Sequence, residues 1–108
     1  MTDEMGMWLD QQVENQRHDA QALKALATAM PAPETVEWLT GIADTLAADA
    51  DSKRRILDVH RGDDREDCAG CGLDAIGLPV WRIDQCPTRL ALALAYADKP
   101  GYSEEWQS

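Results

Sequence analysis

His60, Cys68, Cys71 and Cys86 are the residues of this chain whose types and spacing could do chemistry: every cysteine in 108 residues, and one of the two histidines, falls between positions 60 and 86. Thiolate and imidazole are the donors that Zn²⁺ favours, and a closed structural zinc site takes four of them in a tetrahedron. The Cys68-x-x-Cys71 pair would supply two ligands from one turn, with His60 and Cys86 closing the set from either side. Three thiols are poorly served by disulfides, which would leave one over, and a metal explains them better in a reducing compartment. The expectation is one structural Zn²⁺ held by His60, Cys68, Cys71 and Cys86. If His60 is not the fourth ligand, Asp67, Asp74, Asp84 or a water takes its place.

Two other readings use the same residues. Cys68 and Cys71 are then ordinary loop thiols, Cys86 caps a helix, and His60 complements the negative end of its own helix. Alternatively the pair is a thioredoxin-like dithiol, but that motif belongs beside a βαβ pattern, which is not legible in this chain. Signs of catalysis are missing. There is no HExxH, and no HxE paired with PCxxC. Ser52, Ser103 and Ser108 have no nearby base or glycine elbow. The carboxylate pairs Asp63–Asp64 and Glu104–Glu105 read as solvated surface, as does His18 inside a helical stretch. The chain is not expected to be an enzyme.

The elements that must position the four ligands are helical. From Asp3 to Met30 there is no proline, and Leu9, Val13, Gln16, Ala20, Leu23, Ala27 and Met30 recur at the spacing of one helix face. Pro31 and Pro33 end this helix, and Pro33 suits the first turn of the next. The second face runs Val36, Leu39, Ala43, Leu46, Ala50, Lys53, Leu57 and His60, which turns His60 toward the core at the end of an antiparallel hairpin over 3–60. Trp8 and Trp38 flank these stripes and read as core edge. Gly70 and Gly72 fit a tight turn around a metal in a loop over 60–86. Pro87 opens a third helix over 87–98. Its Leu/Ala alternation also matches a strand period, but both residues are strong helix formers and β-branched residues are absent. VWRI at 80–83 is at most an isolated extended piece. Over the tail, 99–108, Tyr102 and Trp106 fold back onto the helices. The fold class is mainly α, in a single domain over 1–108.

KRRILDVH, the CxxC loop and CPTRLALALAYADKPGYSEEW together resemble the C-terminal signature of a family of small uncharacterised proteins from actinobacteria and their phages. The resemblance covers residues 53–106. It implies an actinobacterial or actinophage cytoplasmic protein and no known catalytic residues. Where the family has His in a YADHP-like stop, this chain has Lys99, which argues against a metal or catalytic role there.

Charge narrows the partners. The net charge is −10, unevenly spread: residues 1–52 hold ten acids against Arg17 and Lys24, a net of −8, and residues 53–108 hold ten acids against eight bases, a net of −2. General attraction to nucleic acid or to an anionic membrane is disfavoured. No run is long and apolar enough to span a bilayer, and the acidic N-terminus is unlike a secretory signal, so a cytoplasmic location is expected. Lys53, Arg54, Arg55, Arg61 and Arg65, with Arg82 and Arg89 nearby, form either a local phosphate patch or a set paired with Asp58, Asp63, Asp64, Glu66 and Asp67. Pairing is the simpler reading. The function expected is a non-enzymatic, zinc-braced helical adaptor that binds a protein partner or its own copy, in a phage a modulator of a host protein. The rival is a small zinc-containing nucleic-acid-binding module using the Arg-rich edge of the loop.

Overall fold

The structure, a computed structural model, describes residues 3–62 and 67–107. Helix α1 spans Glu4–Thr28, α2 spans Pro33–Val59 and α3 spans Pro87–Ala95, with single 3₁₀ turns at Ala69–Cys71, Ile83–Gln85 and Glu104–Trp106. No strand forms among the described residues; Gly62 with Cys68, Asp67 with Arg82, and Leu73 with Pro79 make isolated antiparallel bridges. The chain is mainly helical, as its apolar spacing predicts. No described helix is long and apolar enough to cross a membrane.

The chain divides into two compact units, Gln11–Arg54 and Met1–Asp10 with Arg55–Ser108. In the first, α1 and α2 run antiparallel and bury Val13, Ala20 and Ala27 along with Ala43 and Ala50. Alanine at so many seam positions brings two backbones close without bulky side chains to fill the gap. Gln16, itself buried, donates from Nε2 to the Leu46 carbonyl at 3.0 Å and to Asp49 Oδ2 at 2.8 Å. Lys53 Nζ reaches the same Asp49 oxygen at 2.7 Å. Longer pairs, Arg54–Glu14 at 3.5 Å, Lys24–Asp44 at 3.6 Å and Arg17–Asp51 at 3.8 Å, line the outside of the seam. Such exposed pairs order the register more than they stabilise it. Trp38 departs from the core-edge reading and is 66% exposed. Standing one residue before the Leu39 stripe position, it is rotated about 100° away from the seam.

The second unit collects the ends of the helices. Asp3 caps α1, accepting the Gly6 N–H at 3.0 Å, and both of its carboxylate oxygens take Arg89 Nη2 at 2.7 Å. Arg89 is 1% exposed, and its Nη1 donates to the Ile83 carbonyl at 3.0 Å. It is thus a buried tie between the start of α1 and α3 and not a member of a phosphate patch. Trp8 is packed among Tyr96, Tyr102 and Trp106, with ring centroids 5.1–6.4 Å away, and its Nε1 donates to the Pro100 carbonyl at 2.8 Å. The tail therefore folds back as its aromatics predict. Helix α3 buries Arg89, Ala93 and Tyr96 and leaves Leu94 57% exposed, a helical period that resolves the Leu/Ala alternation. It stops at Ala95, short of 98: Ala97 and Lys99 donate to the Leu94 and Tyr96 carbonyls, three residues back, and tighten the chain out of the α ladder.

Candidate metal centre

Each of the four ligands is placed by backbone bonds that leave its side chain free. The His60 N–H continues the α2 ladder to the Ile56 carbonyl at 3.0 Å, one residue past the helix end, which fixes the ring's direction. Cys68 N–H donates to the Trp81 carbonyl at 2.9 Å and Ala69 N–H to the Arg61 carbonyl at 3.1 Å, holding the knuckle against both flanking segments. The 3₁₀ turn Ala69–Cys71 then brings the second sulfur of the pair round beside the first. A Cβ at position 70 would run into the Val59 carbonyl, so glycine is what lets this turn lie against the end of α2. Gly72 has φ 78°, in the left-handed region that favours glycine. Cys86 stands at the N-cap of α3, where its carbonyl accepts the Leu90 N–H at 3.0 Å while its sulfur makes no capping bond.

His60 Nδ1 lies 3.3 Å from Cys68 Sγ, 3.6 Å from Cys71 Sγ and 3.4 Å from Cys86 Sγ. Cys86 Sγ is 3.5 Å from each of the other two sulfurs. All four atoms fall within 4.8 Å of one another. These separations far exceed the ~2.05 Å of an S–S bond, and all three cysteines are free. A regular tetrahedron with edges of about 3.5 Å has its centre about 2.1 Å from every corner, which is the bond length at which nitrogen and sulfur donors hold a small dication. The donor set therefore fits a metal ion, with His60 coordinating through Nδ1 and three sulfurs completing the shell.

Burial and charge favour the same reading. Cys68 and Cys86 are 1% and 0% exposed and pack with Ile83, while Cys71 and His60 are half-buried. Burial first, and then hydrogen bonding and repulsion from Cys68 and Cys86, push the Cys71 thiol up to about 12. Three thiolates in so small a space need a cation between them, since a bound metal displaces the thiol protons.

The alternative ligands lie outside this group. Asp74 spends one carboxylate oxygen on the N–H groups of Ile76 and Leu78, both at 3.0 Å, and Asp84 pairs with Arg82 at 3.6 Å. The cap reading of Cys86 finds no capping bond, and Cys68 and Cys71 do not stand apart as a dithiol, because Cys86 and His60 crowd both. His18 is exposed and pairs with Glu14 at 3.3 Å. Among the basic residues, Arg61 makes a bidentate pair with Asp10 at 2.9 and 3.0 Å and reaches Asp58 at 2.9 Å; these bonds, offset in part by burial, raise its pKa further above its ordinary value. Lys53, Arg54, Arg82 and Arg89 have the carboxylate partners named above, so the basic patch is largely neutralised within the chain. Asp63, Asp64, Arg65, Glu66 and Ser108 lie outside the described residues. The Asp3–Arg89 tie and the choice of Nδ1 escape the sequence; the one signal for the former is a lone charged residue amid the apolar run of α3.

Fold and site together define a mainly helical chain with two long packed helices, a short third helix and a His/Cys₃ cluster able to hold a metal ion. The chain belongs to a family of unknown function, DUF6221, whose profile matches residues 2–108. No curated protein and no solved structure matches it.

Proposed function

We propose that His60, Cys68, Cys71 and Cys86 hold one structural Zn²⁺, and that the chain is a non-enzymatic helical adaptor for a protein partner. The near-regular tetrahedron of four protein donors carries this reading. One nitrogen and three sulfurs at these separations suit zinc, whose bonds to them are about 2.0–2.3 Å. With all four positions filled by side chains, no coordination site is left to activate water or a substrate, which is the mark of a structural centre. The metal then braces the loop that follows it. There, Leu73, Ile76, Leu78, Val80 and Trp81 are 41–78% exposed, yet Asp74, Gly77 and Val80 fix their backbone through bonds of 2.7–3.2 Å to Leu78, Asp74 and Gly72. A rigid loop holding five apolar side chains in water supports a protein-binding role.

Elemental analysis of the purified chain tests the centre. One zinc per chain, retained through dialysis and lost in Cys86→Ser, is the expected result; a metal-free chain that unfolds with undiminished cooperativity would overturn it. For the adaptor, Ile76→Asp with Leu78→Asp should abolish capture of a specific partner while zinc content stays at one. Metal-dependent turnover of any substrate by the intact chain would count against the non-enzymatic reading.

A further inference from the structure

Within the unit Gln11–Arg54, α2 carries a feature its own packing does not explain. Gly41 stands in the interior of a 27-residue helix, where glycine is disfavoured against alanine. A Cβ built there would meet nothing within 4 Å, so nothing in the chain requires the missing side chain. Beside it Trp38 and Ile42 are 66% and 39% exposed, and with Thr45 and Leu46 they line a shallow apolar groove along the outer face of the helix. The Thr45 hydroxyl is turned inward onto the Gly41 carbonyl at 3.0 Å, which removes a polar group from the groove floor. Glu37 and Asp49 stand at its two ends, about 18 Å apart along the helix. Glu37, and Glu34 nearly one turn before it, make no hydrogen bond or ion pair among the described residues.

Apolar floor, acidic ends and a bare glycine together describe the complement of one kind of partner. We infer that this groove docks an amphipathic helix of a partner protein whose apolar anchors lie over Gly41 and whose flanks carry Lys or Arg. The inference rests on the adaptor reading and gives that partner its chemistry. Helix-in-groove recognition uses anchors spaced at i, i+3 or i+4, and i+7, and a glycine lets the incoming helix approach the α2 backbone closely. Charge decides against a second copy of this chain. Antiparallel self-pairing about the groove's centre sets Glu37 against Asp49, and parallel pairing sets each acid against itself, so either arrangement opposes like charges.

The full-length chain would be titrated with two synthetic amphipathic peptides sharing one Leu/Ala stripe, one flanked by Lys and the other by Glu. The Lys peptide should bind saturably at 1:1, and the Glu peptide at least tenfold more weakly. Trp38→Ala with Ile42→Ala, and separately Gly41→Leu, should each weaken the Lys peptide at least tenfold. Gly41→Ala should raise the melting temperature of the free chain while lowering peptide affinity several-fold, an opposition that a purely structural glycine would not produce. No saturable binding at low salt would overturn the inference. Equal binding to the Trp38→Ala, Ile42→Ala chain would also overturn it, reducing the effect to general attraction by an acidic surface. A dimer abolished by Trp38→Ala would do so too, by assigning the groove to a second copy. A specific partner still captured by the double variant would sink this docking site and leave the adaptor reading standing. Loss of capture in the loop variant alone would strike the adaptor surface near the metal and leave the titration decisive.

Discussion

Cys86 meets two demands with separate atoms: its carbonyl opens α3 on the Leu90 N–H, and its sulfur faces His60 Nδ1 at 3.4 Å. Serine at this position keeps the carbonyl and adds a better capping oxygen, so Cys86→Ser should retain the helix start and lose the metal. Competition with a chromophoric chelator should show zinc affinity falling by more than the about 10–100-fold that loss of an outer-shell partner costs. Undiminished affinity would remove Cys86 from the shell. Arg89 allows a second experiment at this scale. With its guanidinium 1% exposed and its charge met by Asp3, Asp3→Ala strands a buried cation and should destabilise the chain by about 3 kcal/mol. Arg89→Met fills the same space without a charge and should cost less. A double-mutant cycle by urea unfolding should return a coupling well above the few tenths expected of independent sites.

The helices and the ligand set were legible from spacing because each is a local or near-local pattern. The 3.6-residue recurrence of Val13, Ala20, Ala43 and Ala50, prolines at helix starts, and ligand types gathered between 60 and 86 all show in one dimension. Asp3 and Arg89, 86 residues apart, leave no such trace, and neither does the outward turn of Trp38, since periodicity cannot rank a residue at the margin of a stripe. The α3 reading offers a direct check of period. Leu94→Glu should change stability by no more than about 0.5 kcal/mol, whereas Ala93→Leu, at a fully buried seam position, should cost about 1–3 kcal/mol; a strand period would place 93 and 94 on opposite faces without this ranking. In the α1–α2 seam, hydrogen bonds from Lys53 and Gln16 hold the Asp49 carboxyl below its ordinary value of 3.8. A depressed folded pKa contributes stability that is complete above the unfolded value and lost as pH falls through the folded one. Asp49→Asn should therefore lower the urea midpoint most above about pH 4, and the difference from wild type should shrink below it. A gap that widens in acid would contradict the assignment.

The metal cluster lies wholly within one of the two compact units, the one formed by residues 1–10 and 55–108. Its four ligands come from the end of α2, the knuckle and the start of α3, segments joined otherwise by single bridges and isolated hydrogen bonds. Gln11–Arg54 is held instead by a continuous α1–α2 seam with its own buried alanines and a bonded Gln16, and none of these contacts involves the cluster. Chelation should thus act unevenly. Hydrogen exchange after zinc removal at neutral pH should show protection falling first and furthest over residues 60–107, with the near-ultraviolet signal of Trp8 and Trp106 fading as the packing around them loosens. Seam amides over 16–50 should keep most of their protection, because a helical pair with an intact apolar seam loses no contact when the ion leaves. Acidification should repeat the pattern as protons displace the metal from its thiolates, followed at lower pH by loss of the Asp49 contribution. Equal loss of protection throughout the chain on chelation would show instead that the cluster is the keystone of a single cooperative unit.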